Sequence, residues 1–130
     1  VTQRLEPGDL VLFQIPYSRH TFEYYQDQLL AAPGARPFGD ERRIFLPLVA
    51  GGTTAPWWAD GLYTNAGMTP AEVDRQMADL VAGRRTVWFV ASEVALWDER
   101  GLVGTWLDEH AQRTLEAVWT RVSVRRYEFP

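Results

Sequence analysis

Residues Pro7-Gly8-Asp9-Leu10-Val11-Leu12-Phe13-Gln14-Ile15-Pro16-Tyr17 constrain the fold more than any other stretch of this chain. Pro7-Gly8 makes a turn into an apolar strand, Asp9 to Ile15, and Pro16 closes it. A strand with one wet face alternates apolar and polar residues. This one does not, so it needs cover on both faces. No hairpin turn follows. Instead Ser18 stands at an N-cap position, and Phe22, Tyr25 and Leu29 fall at i, i+3 and i+7, one stripe of a helix that Pro33-Gly34 ends. A doubly covered strand leading into an amphipathic helix is the opening unit of an α/β sheet.

Composition narrows the class. At 130 residues, 46% of them hydrophobic, the chain is read as a single globular α/β domain, 1–130. Six Trp, five Tyr and six Phe give more aromatic surface than one small core requires. A net charge of -4 argues against nucleic acid as a partner, since that needs a basic stripe. With no cysteine there is no disulfide and no thiolate metal site. Lys is absent and every basic side chain is Arg, which fits a GC-rich coding bias. No window reaches the roughly 18–20 apolar residues of a transmembrane helix, and no signal peptide is visible. The chain starts at Val1 rather than Met, which suggests a piece of a larger protein.

Further elements follow in order. Arg43 to Leu48 reads as a short strand, with Pro47 marking its end or a sheet edge. Val49 to Met68 is a long Gly- and Thr-rich loop carrying Trp57, Trp58 and Tyr63, and a loop of that length in a compact domain is usually functional. Thr69-Pro70-Ala71-Glu72 is a capping box with Pro at the first helical position. Val73, Met77, Leu80 and Val81 form the apolar face of that helix, and Gly83 stands at its C-terminal cap. Arg85 to Ala91 is a β-branched and aromatic strand. After an Asp98–Gly101 turn, a helix is predicted to run to about Val118. Its apolar stripe is Val103, Trp106, Leu107, His110 and Thr114, and Glu109–Arg113 forms an i, i+4 pair on the outer face. Arg121 to Tyr127 alternates, with charge on both sides, as an edge strand protected against further pairing does.

This order, β-α-β-loop-α-β-α-β, predicts a three-layer, Rossmann-like fold. It has a mostly parallel four-stranded sheet in the order 2-1-3-4, with helices on both faces. The connection after the first helix and the one after the long loop then go in opposite directions and create a switch point between strands 1 and 3, where open α/β sheets bind ligands.

The residues at that point define the candidate site. Tyr17, Ser18 and Arg19 come from the first strand end, and Ser92 and Glu93 from the third. Ser18 and Arg19 at a helix N-terminus suit an anion; in the plainer reading Ser18 is only a cap and Arg19 is solvated. His20 and Glu23, at i, i+3, are read as a surface pair rather than metal ligands, and His110 as a partly buried, hydrogen-bonded core side chain. Ser18 and Ser92 lack a G-x-S-x-G context or a local base. Glu93 and Asp98 are two loop acids at a commonplace spacing, a weak match to glycosidase carboxylates. Neither a dinucleotide fingerprint nor a P-loop is present. No catalytic residue, metal ligand or cofactor is therefore assigned. Trp57, Trp58 and Tyr63 form an aromatic loop that either stacks on sugars, meets a membrane interface or folds back on the core.

Several segments together resemble a known family: Pro7-Gly8-Asp9-Leu10-Val11-Leu12-Phe13 leading to Phe22-Glu23-Tyr24-Tyr25, then Arg85-Thr86-Val87-Trp88-Phe89-Val90 with Trp97-Asp98 and Leu107, and the Arg126-Tyr127 ending. The pattern resembles the soluble C-terminal, extracytoplasmic portion of bacterial multi-spanning glycosyltransferases of the dolichyl-phosphate-mannose protein mannosyltransferase-like group. The resemblance covers most of the chain through loose, fold-like motifs. That family uses a polyprenyl-phosphate sugar donor, and its catalytic acid lies near the first membrane helices, a region with no counterpart here. The resemblance thus implies a non-catalytic accessory domain, soluble in itself, at the extracytoplasmic face of the plasma membrane. Its partners would be the membrane-embedded part of the parent chain and a glycan or lipid-linked sugar. The alternative is a self-contained ligand-binding or enzymatic α/β domain using the crevice between strands 1 and 3.

Overall fold

The computed structural model describes residues 4–6, 8–14, 18, 22, 24, 45–47 and 69–130. Within them the chain builds β1 (Leu10–Phe13), β2 (Phe45–Pro47), α1 (Pro70–Val81), β3 (Thr86–Ser92), a single turn α2 (Val94–Trp97), α3 (Leu102–His110), β4 (Gln112–Trp119) and β5 (Val122–Glu128). The five strands form one sheet in the order β2-β1-β3-β5-β4. β1 pairs in parallel with β2 and with β3. β5 is antiparallel to both β3 and β4.

The unbroken apolar run of β1 is explained by the two sides of the sheet. Leu10 and Leu12 join one cluster with Val87, Phe89, Ala91 and Tyr127, under α1 and α3. Val11 and Phe13 join the other with Leu5, Trp88, Val90 and Val124. Phe22 packs edge-on against Phe13 there, centroids 5.4 Å apart. Val11, Phe13, Val87, Phe89 and Val90 are all buried, as central strand positions should be; Ile15 lies outside the described residues.

Three hydrogen bonds lock this core to its surroundings. Asp9 is buried, and its Oδ2 accepts from the indole Nε1 of Trp88 at 2.9 Å and from the Glu6 amide at 3.1 Å. An indole N–H in a core needs such a partner. On the opposite face Trp106 Nε1 donates to Asp74 Oδ1 at 2.8 Å, tying α3 to α1.

Of the capping box before α1 the Thr69 half forms: Thr69 Oγ1 accepts from the Glu72 amide at 3.2 Å. Val73, Met77 and Val81 face the core. Ala82 is the C-cap, and Gly83 follows at φ 72°, a left-handed position that glycine takes without strain.

The expected Rossmann-like sheet, mostly parallel and four-stranded in the order 2-1-3-4 with helices on both faces, is overturned. Half the pairings here are antiparallel, and the order ends β3-β5-β4. The cause lies after residue 110. The predicted helix does not run to Val118. It stops at His110, Ala111 turns extended at φ -144° and ψ 159°, and residues 112–119 form β4. Thr114 to Val118 alternates, Leu115 and Ala117 being half-buried while Thr114, Glu116 and Val118 are exposed, and a pleated strand accommodates that pattern better than a helix. Arg113 consequently pairs with Asp108 and Glu116 rather than with Glu109. β4 runs in the same sense as β3 but one place further out. A tight turn at Thr120-Arg121, with Arg121 at φ 62°, sends β5 back between them.

β5 is therefore an interior strand, not the predicted edge. Its charges are neutralised in place. Arg125 Nε donates to Glu116 Oε1 at 2.8 Å, and Arg126 pairs with Glu128 and lies 5.8 Å over the Trp88 ring. Tyr127, fully buried, donates its hydroxyl to Asp108 Oδ1 at 2.9 Å. Burial, reinforced by that hydrogen bond and the Asp108 charge, pushes the phenol up to about 12.

Candidate functional site

The carboxyl ends of β1 and β3 and the β4–β5 hairpin turn lie at one end of the sheet, because β5 runs antiparallel to β3 and pairs Val122 with Ser92. β2 and β3 flank β1 on opposite sides, both in parallel. The chain thus leaves β1 toward one neighbour and later returns on the other, and the switch point survives the change in fold.

Gln14, the first residue past β1, keeps its backbone on β3 by donating its N–H to Val90 O at 3.0 Å. Its side chain is 2% exposed, yet neither amide atom, Oε1 or Nε2, has a hydrogen-bond partner. Buried amides are nearly always paired, and leaving one unpaired costs about 1–3 kcal/mol. Two residues beyond Val90 on the neighbouring strand, Ser92 is buried and its Oγ accepts from Ser18 Oγ at 3.4 Å. Two of the predicted crevice residues, Ser18 and Ser92, are thus in contact across the ends of β1 and β3.

Glu93 closes β3 in the left-handed region, φ 49° and ψ 44°, a conformation that costs a non-glycine residue about 1–2 kcal/mol. The strain is held by the hairpin turn. The Glu93 amide donates to Arg121 O at 2.8 Å, and the Arg121 guanidinium lies 3.5 Å from Glu93 Oε1. Beside this link opens a groove of about 550 Å³ whose lining combines the apolar Val94, Val118, Trp119 and Val122 with the charged Glu93, Arg121 and Arg125. Val118 and Trp119 are 70% and 61% exposed and Val94 38% exposed, an apolar tip on the hairpin.

The remaining candidates resolve into structural roles or fall outside the description. Asp98 is buried, and its two carboxylate oxygens accept from the Leu102 and Val103 amides at 2.9 and 3.1 Å, so it caps α3. His110 is half-exposed rather than a core side chain: its ring stacks on Trp106 with centroids 4.1 Å apart, and its Nδ1 lies 2.8 Å from Trp106 O. Tyr17, Arg19, His20 and Glu23, and the aromatic loop of Trp57, Trp58 and Tyr63, lie outside the described residues. Among the described residues no group of three or more His, Asp or Glu is placed to hold a metal ion, and no helix is long and apolar enough to cross a membrane.

Gln14 and the hairpin tip were missed in the sequence. Gln14 was absorbed into an apolar strand; a lone amide in such a run is the only sign it gives. Val118 and Trp119 were hidden by the helical reading of their segment. Comparison with protein-family models, with curated proteins and with solved structures returned no match to this chain.

Proposed function

We propose that the chain is a non-catalytic accessory domain of a membrane glycosyltransferase that uses a polyprenyl-phosphate sugar donor, and that it works at the extracytoplasmic face of the membrane. In this reading the hairpin tip docks onto the membrane-embedded part of the parent protein. The family assignment rests on the sequence resemblance from Pro7-Gly8-Asp9 to Arg126-Tyr127. The docking rests on one structural observation: Val118, Trp119 and Val94 stand exposed together around this groove. An exposed Trp beside aliphatic side chains and an Arg is the composition of a binding anchor, since Trp and Arg dominate interface energetics.

The test is made in the full-length parent. Trp119→Ala with Val118→Ser should lower glycosyl transfer by about ten-fold, the loss of ~1.4 kcal/mol of docking energy. The same pair of changes should leave the thermal midpoint of the isolated chain unchanged, because both side chains are already solvated. Transfer at the wild-type rate would remove the docking role. The isolated chain should show no turnover of sugar phosphates, nucleotide sugars, or ester and glycoside substrates. A rate abolished by Ser92→Ala or Glu93→Ala would instead establish a self-contained enzyme.

A further inference from the structure

We infer that the cavity at the amino ends of β1 and β3 is a binding site for a primary ammonium group, held by the carboxylate of Asp9 and the hydroxyl of Thr86. It lies at the opposite end of the sheet from the hairpin tip, so it stands or falls independently of the docking.

Register and alternation bring the groups together. β1 and β3 run in parallel with Leu10 beside Val87, and Asp9 and Thr86 each come one residue earlier. Thr86 pairs with Glu128 on β5, and Trp88 with Arg126. Every second residue of a strand points the same way, so Asp9, Thr86 and Glu128 share the sheet face that carries Val11, Trp88 and Arg126. The indole of Trp88 agrees, since it donates to Asp9 Oδ2. On that face opens a cavity of about 480 Å³ whose lining includes Glu6, Asp9, Thr86, Arg126 and Glu128.

Two buried side chains of this cavity have bonding capacity left over. Thr86 is 8% exposed, and its hydroxyl has no partner among the described residues. Asp9 is 6% exposed, and both of its bonds, from the Trp88 indole and the Glu6 amide, end on Oδ2 and leave Oδ1 open. Among the described residues only the Gln14 amide is both unpaired and sealed from solvent, so the open Asp9 and Thr86 oxygens reach the cavity. A buried carboxylate bonded by neutral N–H groups alone has no countercharge, and a buried hydroxyl without a partner is uncommon.

The charges select the ligand. Arg126 is committed to Glu128 and to Thr114 Oγ1. Arg85 also borders the cavity, but its place one residue before Thr86 belongs to the other face of the sheet. Asp9 is thus left without a cation, and an anion would be repelled by it. No three carboxylate or imidazole groups among the described residues come together to ligate a metal ion. An ammonium supplies both the countercharge and three donors. One N–H serves Asp9 Oδ1 and a second serves Thr86 Oγ1, and the remaining volume takes a carbon body of several atoms.

The assay is a titration of the 130-residue chain followed by the Trp88 indole N–H in two-dimensional NMR, that signal being assigned with Trp88→Phe. The probes are n-butylamine, Nα-acetyl-lysine methylamide and, as the uncharged control, n-butanol. A saturable shift is expected from at least one amine and none from the alcohol. Tighter binding of the lysine probe identifies a side chain of a protein partner as the source of the ammonium, and tighter binding of butylamine identifies a free small amine. Asp9→Asn keeps an oxygen for the indole, removes the charge and should weaken binding at least about ten-fold. Thr86→Val keeps the shape, removes the hydroxyl and should weaken binding about five-fold. Its thermal midpoint should equal or exceed that of the wild type, because the hydroxyl bonds nothing in the fold. The inference is overturned by the absence of a saturable shift with either amine, by an equal shift with butanol, or by undiminished amine binding in Thr86→Val. A Thr86→Val chain that melts earlier overturns it too, and this variant decides alone if Asp9→Asn does not fold.

Discussion

Replacing Tyr127 by Phe removes one oxygen and leaves the ring, and its effect on stability should change sign with pH. At neutral pH the variant loses a hydrogen bond to a charged acceptor, Asp108 Oδ1 at 2.9 Å. Asp108 is half-exposed and keeps Arg113 at 3.5 Å, so the cost falls at the low end for such a bond, about 1 kcal/mol. Above pH 10 the balance shifts. The phenol is pushed up to about 12 in the folded chain, mainly by burial, against 10.0 when unfolded. The unfolded chain therefore sheds this proton first. The contribution is complete below pH 10 and is lost as pH rises from 10 to 12, by about 3 kcal/mol in full and about 1 kcal/mol by pH 11. The chain has no Lys and no Cys, so tyrosines dominate the titration in this window, and comparison with Tyr127→Phe cancels the others. Urea unfolding followed by circular dichroism at pH 7, 9, 10 and 11 reads the difference. The wild type should be more stable by about 1 kcal/mol at pH 7 and the two should meet near pH 11. Stability curves that stay parallel up to pH 11 would refute the reasoning.

Two further predictions concern the ends of β3 and α3. Asp98→Ala leaves the Leu102 and Val103 amides without their carboxylate and should cost about 1–2 kcal/mol in urea unfolding, part of it restored by Asn; an unchanged midpoint would deny Asp98 its capping role. Glu93→Gly relieves a left-handed backbone at φ 49° and should be neutral or stabilising by up to about 1 kcal/mol; a clear loss of stability would mean that the Arg121 ion pair outweighs the strain.

Where local signals and tertiary demands agree, the sequence is enough. The capping box at Thr69 fixes the start of α1, and the continuous apolar run from Leu10 to Phe13 identifies a strand covered on both sides. β3 is marked in the same way by Val87 to Ala91, and its parallel pairing with β1 follows from the helix between. The segment after His110 is different. Val103, Trp106, Leu107 and His110 form a true helical stripe, and Thr114 continues its spacing by coincidence. The alternation of Leu115 and Ala117 against Thr114 and Glu116 competes with that stripe, and the partner that decides between them, β5, comes later in the chain. The turn at Thr120-Arg121 has no Gly or Asn to announce it. The charges of β5 read as an edge because their partners, Glu116 and the Trp88 ring, become neighbours only once the sheet has formed. At the site, Ser18 and Ser92 were legible from topology alone. The unpaired state of Gln14 was not, since no residue type records whether its amide finds a partner.

The change of β4 from helix to strand relocates a surface as well as an element. α3 carries the chain away from the carboxyl end of β3 toward its amino end. Had the helix continued to Val118, Trp119 would stand at that far end, remote from Ser92. As a strand of eight residues, at about 3.3 Å each, β4 brings the chain back by about 26 Å. Trp119 then lies beside Val122, which pairs with Ser92. The hairpin turn is held there by the Glu93 amide on Arg121 O and by the ion pair between the same two residues. Reaching that bond requires Glu93 to turn left-handed at the last step of the central strand. The strained residue is thus the joint between two surfaces of different chemistry, the neutral polar groups at the ends of β1 and β3 and the apolar tip of the hairpin. The strain has a physical cause in that geometry, and it needs no catalytic role to explain it.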